Sequence, residues 1–231
     1  MRDLLLVVPS RERPHNAQRL RSAWHATTEG RSDLAFLVDD DDPTKGDYPE
    51  SLTIIGEPGR LVGLTNRCAV ANVDRYRAFA SWGDDHVPLD AFEGPIMGAI
   101  DEAGGVAIVG TNDGVHGAAI PTACVVTANI VVELGWMALP TLEHLCCDLA
   151  WKALGVAADC WRYLPNVHVE HRHPIVGRAS WDATYERGNS GVVSARDHEA
   201  YEAWLADGLE ADAARVRTLR ASVASPGGAV R

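Results

Sequence analysis

The sequence predicts an α/β protein with a mostly parallel central sheet flanked by helices. Two observations carry that expectation. Through the first 110 residues, short apolar runs alternate with segments of helical spacing, the pattern of strand, crossover helix and strand. The 231-residue chain is also 46% hydrophobic and 23% charged, enough apolar material for a full core and too much for global disorder.

The elements follow in order. Asp3 to Val8 is an apolar run stopped by Pro9 and reads as a buried strand. Pro14 opens a helix that runs to Thr27, with Leu20, Ala23 and Trp24 at helical spacing. Leu34–Val38, Ser51–Ile55 and Arg77–Trp82 are further strands, with a helix over Gly63–Asn72 before the last of them. A helix over Pro88–Glu102, a strand at Gly105–Gly110 and a β-rich patch at Ile120–Thr127 come next. Thr141–Gly155 reads as an amphipathic helix closed by Gly155. Two short strands at Cys160–Leu164 and Val167–Glu170 precede a single charged helix over Arg196–Ala221. That helix carries Tyr201, Trp204, Leu205 and Leu209 on one side. The stripe can dock back on the sheet or mediate self-association, which makes a homo-oligomer one expectation. The closing SPGGAVR reads as frayed.

Charge and cysteines narrow the setting. Acidic residues outnumber basic ones 32 to 21, a net charge of −11, which argues against a broad polyanion-binding surface. The opening LLLVVP is too short for a signal-peptide core or a membrane span. Five cysteines, odd in number and without a CxxC pair, read as reduced, mostly buried thiols of a cytoplasmic protein.

In open α/β sheets, ligands sit beyond the carboxyl ends of the strands. Three charged tips fall there: Arg11 and Arg13 around Glu12, the run Asp39 to Asp42, and Gly83-Asp84-Asp85-His86. Arginines suit an anionic ligand and carboxylates suit a divalent cation. Each tip also has a plainer reading, as solvated loop charges, a soluble turn before Pro43, or a capped helix start before Pro88. Two adjacent carboxylates and an imidazole straight after a buried strand are nonetheless costly to juxtapose without a cation. Further on, VHVEHRHP places His171 and His173 on one strand face and Glu170 on the other. Two imidazoles favour a borderline cation such as manganese over magnesium, although a zinc hydrolase would use the same residue types. His144, Asp148 and Trp151 share one face of the predicted Thr141–Gly155 helix, a carboxylate able to act as a general base beside an aromatic side chain.

The order of these motifs resembles the GT-A glycosyltransferases, in particular small family-2-like members from bacteria and their phages. The matching segments are VPSRERPHN, FLVDDDDP, LTNRCAVAN, WGDDH in place of the DXD motif, HLCCDLAWKALG, VEHRHP and WDATYERGN, from Leu4 to Asn189. The resemblance implies a catalytic domain over residues 1–190, followed by a C-terminal helix and tail over 191–231. It also implies a metal-dependent transfer of a sugar from a nucleotide-sugar donor, a uridine diphosphate sugar by the family's habit, to an acceptor hydroxyl. Pro9, Ser10, Arg11 and Arg13 would surround the base and diphosphate, Asp39 would bind the base, and Asn66 and Arg67 would face the nucleotide. Asp84 and His86 would reach the ribose and the metal, with Asp85 pointing toward the sugar or onto the metal. His171 or His173 would be the late metal or diphosphate ligand, and Asp148 the catalytic base of an inverting reaction. The sequence departs from the family in having His86 where the second DXD aspartate stands and Cys147-Asp148 where Glu-Asp is usual. The acceptor is open among a saccharide, a small molecule and a modified DNA base, with no membrane partner expected. Two other classes compete: a nucleotidyltransferase, whose glycine-rich opening loop PSRERP lacks, and a non-catalytic nucleotide-binding or assembly module.

Overall fold

Hydrophobic alternation along the first strand divides the protein into layers. In β1 (Arg2–Ser10), Leu4, Leu6 and Val8 face one side and Leu5 and Val7 the other, as the two-residue period of a strand requires. The computed structural model describes residues 1–224, so the expected fraying of SPGGAVR lies outside the described residues. α1 (Pro14–Thr27) has the predicted bounds, with Pro14 in its first turn. β2 (Ser32–Asp39), β3 (Thr53–Gly56), α2 (Arg60–Val70) and β4 (Tyr76–Ser81) complete a parallel half-sheet in which β2 pairs with β1 and β3, and β1 with β4.

The second half is built differently. It comprises β5 (His86–Pro88), α3 (Glu93–Glu102), β6 (Ile108–Asn112), β7 (Cys124–Thr127), α4 (Ala128–Leu134), α5 (Cys147–Ala157), β8 (Trp161–His171), α6 (Ala183–Gly188), α7 (Gly191–Asp207) and α8 (Leu209–Ala224). Among the described residues the eight strands lie in the order β3-β2-β1-β4-β7-β6-β8-β5. β7 runs antiparallel to both β4 and β6, and β5 antiparallel to β8, so the sheet is mixed where a mostly parallel one was expected. The reason lies in the connections. A parallel crossover needs about a dozen residues, usually a helix, and residues 113–123 join β6 to β7 with no helix among them.

Helices cover both faces. α1 and α3 bury Ala17, Leu20, Ile96, Met97 and Ile100 against Leu4, Leu6, Phe36 and Val38. α2, α4, α5 and α8 bury Val62, Val131, Leu154 and Val216 against Leu5, Val7, Leu37 and Phe79. Each of these larger side chains, Ala17 apart, contributes about 1.5–3 kcal/mol relative to exposure. All five cysteines are buried and unpaired, as expected. No helix among the described residues is long and apolar enough to cross a membrane.

Several elements differ from the sequence reading, each for a tertiary reason. The helix expected over Pro88–Glu102 starts at Glu93, because His86–Pro88 is drawn into β5 by β8. The two strands expected between Cys160 and Glu170 are one, with a bulge where Thr111 pairs with Leu164 but Asn112 with His168. The helix expected over Thr141–Gly155 begins only at Cys147, after Cys146 adopts a left-handed φ of 64°. Gly155 lies within that helix, where a Cβ would meet Trp161 at 3.2 Å and Ile108 at 3.3 Å; it permits close helix–strand contact and closes nothing.

The C-terminal helix divides at Gly208 into α7 and α8, and its stripe packs back onto the core through Tyr201, Trp204, Leu205 and Leu209. On α7, the fully buried Asp197 accepts the backbone N–H groups of Glu143 (3.1 Å), His144 (2.9 Å) and Leu145 (2.8 Å). One carboxylate thus fixes the turn that the sequence read as helix.

Candidate active site

The carboxyl ends of β1, β2 and β4 open into a cleft of about 1020 Å³, also lined by α5, the end of β8 and α6. Pro9, Ser10, Arg11, Arg13, Asp39, Asp84, Asp85, His86, Asp148, His171 and His173 all line it. Asn66 and Arg67 do not. Asn66 is spent on the chain after α4, accepting from Met137 and Ala138 N–H and donating to Ala138 O, each at 2.8 Å. Arg67 turns back onto Glu57 O and covers Gly59.

At the end of β4, two successive carboxylates point opposite ways. Asp84 turns toward α1 and accepts from Ser10 Oγ (2.5 Å), Asn16 Nδ2 (3.1 Å) and Arg13 (3.4 Å). Burial, reinforced by the charge on Asp85, raises its pKa despite these partners. Asp85 turns to the far wall, where it accepts from the Tyr185 hydroxyl (2.8 Å) and lies 3.2 Å from His86 Nδ1 and 3.4 Å from His171 Nε2. Burial opposes its ionisation, but its hydrogen-bonding partners, His171 foremost, outweigh burial and hold Asp85 well below the usual carboxylate range.

The antiparallel register of β5 and β8 creates this group, because it sets His86 opposite His171. Their rings stack at 4.4 Å with planes 13° apart. Ligand atoms of Asp85, His86 and His171 all lie within 4.8 Å of one another, a cluster able to hold a metal ion. Two further features fit a cation. His171 Nδ1 is buried without a hydrogen-bond partner among the described residues. A Cβ at Gly83 would fall 2.5 Å from Asp85 Oδ1 and 2.9 Å from His86 Nδ1, so only glycine keeps that cradle open. One carboxylate with two imidazoles suits a borderline divalent ion.

Asp84 and His173, both expected near the metal, lie outside the trio. The oxygens of Asp84 are occupied by Ser10, Asn16 and Arg13. His173 follows β8, accepts Ile175 N–H (3.2 Å) at Nδ1, and packs edge-on to Tyr185 at 4.9 Å. Burial, with the neighbouring His171, pulls its pKa down to about 4.

Both arginines of the first loop are cationic and engaged. Arg13, 5% exposed, lies 3.6 Å over the Tyr185 ring and grips Asp182 with two bonds of 2.9 and 2.6 Å. Burial works against its charge, but Asp182 and Asp84 more than offset this. Arg11 bridges Asp39 (3.3 Å) and Asp41. Asp39 also accepts Gly59 N–H at 3.0 Å.

Asp148 stands in the first turn of α5, where the helix dipole favours an anion. Burial nevertheless raises its pKa, only partly offset by the Leu149 N–H it accepts at 2.9 Å. A carboxylate held in this state has heightened affinity for a proton. His144 is not its helical neighbour, as the sequence had suggested; it sits in the turn fixed by Asp197, against Gly188. Trp151 is part of the core, its indole N–H bonded to Met137 O at 2.7 Å.

No sequence family matches the chain, and no curated protein matches it. Its fold is nevertheless found among solved structures. Staphylococcus aureus TarS, residues 1–349 in complex with UDP-GlcNAc, superposes with a TM-score of 0.59 at 9% identity, over 96% of this chain and 72% of that one. The mannosyltransferase PcManGT from Pyrobaculum calidifontis, in complex with GDP-Man and Mn2+, gives 0.51 at 10% identity, over 97% and 77%. The UDP complex of TarS 1–349 gives 0.53 at 8%, with this chain spanning 59% of that one. The chain therefore shares the α/β fold of proteins crystallised with nucleotide sugars.

Tyr185 and Asp182 were not singled out from the sequence, yet they tie α6 to Asp85 and Arg13. A signal was present. Asp182 caps α6 through the N–H groups of Thr184 and Tyr185, and Asp-x-x-Tyr-Glu is a helix-opening signature.

Proposed function

We propose that the protein is a metal-dependent glycosyltransferase that moves a sugar from a nucleotide-sugar donor to an acceptor hydroxyl with inversion. It would be a GT-A enzyme of the small family-2-like kind, with residues 1–190 as the catalytic domain. The observation that supports this reading best is the cation-binding trio Asp85, His86 and His171 in one cleft with a carboxylate of raised pKa, Asp148.

The difficult step is departure of a nucleoside diphosphate from the anomeric carbon. Asp85, His86 and His171 would hold a divalent ion, manganese in preference to magnesium, and that ion would neutralise leaving charge. Arg11 and Arg13 would hydrogen-bond the diphosphate after exchanging Asp41 and Asp182 for it. Ser10 and Asp39 would face the nucleoside and Asp84 the ribose. Asp148 would take the proton of the acceptor hydroxyl as the new bond forms, a contribution of about 10²–10⁴-fold. Its raised pKa equips it for that role.

The test is mass-spectrometric turnover of UDP- and GDP-sugars with Mn2+ across saccharide, small-molecule and modified-base acceptors. Release of nucleoside diphosphate that stops on chelation and returns with Mn2+ is the expected result. Turnover and donor binding that survive chelation would overturn the metal role.

A further inference from the structure

The loop between β6 and β7 holds a carboxylate that neither donor nor acceptor chemistry uses. Asp113 is fully buried. Its Oδ1 accepts the backbone N–H groups of Val115 (2.9 Å), His116 (2.8 Å) and Gly117 (3.0 Å). With Thr122 as a fourth donor, both carboxyl oxygens of Asp113 act as acceptors. Its other oxygen, Oδ2, lies 3.1 Å from Thr122 Oγ1, and Thr122 Oγ1 lies 3.2 Å from His86 Nε2.

The polarity of this chain is fixed at one end. An ionised carboxylate only accepts, so the Thr122 hydroxyl proton must point to Asp113. The hydroxyl then offers His86 only lone pairs, and Nε2 must carry the ring proton. At the other side of the ring, Nδ1 accepts Gly83 N–H at 2.9 Å, which requires it to be unprotonated. That unprotonated Nδ1 also stands 3.2 Å from Asp85 Oδ1. Nδ1 thus holds the ring's one available lone pair, which Gly83 N–H takes here and a cation held with Asp85 would take in its place.

On the cation role given to Asp85, His86 and His171 above, we propose that Asp113 and Thr122 are positioning residues. They place the ring proton of His86 on Nε2 and so select Nδ1 as its metal-binding nitrogen. Partners of this kind commonly set the affinity of a metal site by about 10–100-fold. Asp113 belongs equally to the site's scaffold, since its backbone O accepts His171 N–H at 3.0 Å.

Two measurements on the full chain test this. The first is the imidazole 15N spectrum of the metal-free protein, with the His86 signals assigned by their loss in His86→Gln. Wild type is expected to show His86 protonated at Nε2 alone. In Asp113→Asn the amide oxygen keeps the three N–H groups and its NH2 faces Thr122. The hydroxyl then turns to His86 and the proton moves to Nδ1. The second is Mn2+ affinity by electron paramagnetic resonance. Thr122→Val is expected to weaken it about 10–100-fold, with Thr122→Ser within about threefold of wild type. A wild-type ring protonated at Nδ1, or an Asp113→Asn spectrum unchanged from wild type, overturns the proposal even if Mn2+ binds. So does Thr122→Val binding as tightly as wild type. Failure of wild type to bind Mn2+ while showing the Nε2 tautomer would instead remove the cation reading and leave the tautomer assignment standing.

Discussion

Two acidic clusters meet in the cleft, and they differ in how their charge is met. In Asp39–Asp42 each buried carboxylate faces donors suited to it. Asp39 has Arg11 and Gly59 N–H, while Asp42 has Glu12 N–H at 2.8 Å and the N–H and hydroxyl of Thr44 at 2.7 and 2.8 Å. Around Asp85 the partners are imidazoles and a phenol, and one imidazole nitrogen has no partner among the described residues. The same residue type is scaffolding in the first cluster and, on the proposed function, a metal ligand in the second. Composition does not separate them; the surplus of lone pairs over donors does.

Substitutions can break that contrast, and the largest effect is expected at the proposed base. Asp148→Asn should lower kcat about 10²–10⁴-fold with little change in donor KM. It should also raise the melting temperature at pH 7. The sign follows from linkage: burial raises the folded pKa of Asp148, so the folded state binds more protons than the unfolded chain between the two values. Ionised Asp148 therefore costs stability above its folded pKa. The difference in melting temperature should shrink as pH falls toward the ordinary carboxylate value and vanish below it. Equal melting temperatures at pH 7 would contradict the burial argument.

Next, Asp85→Asn should weaken Mn2+ binding by about 100-fold or more while the circular dichroism stays native, since it removes the one anion of the trio. In the other cluster, Asp42→Ala should leave Mn2+ affinity unchanged and cost about 1–3 kcal/mol in urea unfolding, because it strands buried donors. The smallest effect belongs to Asp41, whose side chain is 57% exposed. Asp41→Ala should leave the urea midpoint within error of wild type, as exposed ion pairs generally do. A large loss there would erase the distinction between surface and buried members of the run.

What was legible in the sequence was local. The alternation in Leu4–Val8 and Leu34–Val38 and the opener Pro14 act within a few residues, so the parallel half and α1 could be read directly. The tips carrying Arg11, Asp39 and Asp85 followed from those strands. The mixed half depends on pairing at a distance. Strand alternation says that Asp84 and Asp85 diverge, but which wall each meets is set by α1 on one side and β8 on the other. Tyr185 lies 100 residues from the Asp85 it contacts. The unwound turn before Cys147 likewise has its cause in Asp197, on a helix that begins beyond residue 190.

That last contact bears on how short the polypeptide can be made. A proteolytic cut at residue 190 would keep every cleft residue up to Ser190 and still remove the acceptor for three N–H groups just ahead of Asp148. Water would have to replace a buried carboxylate there, and the wall that carries Asp148 would lose its fixed shape. On the proposed function, a fragment that keeps turnover should therefore extend past Asp197, and one ending at residue 190 should be inactive although most of the cleft lining is retained.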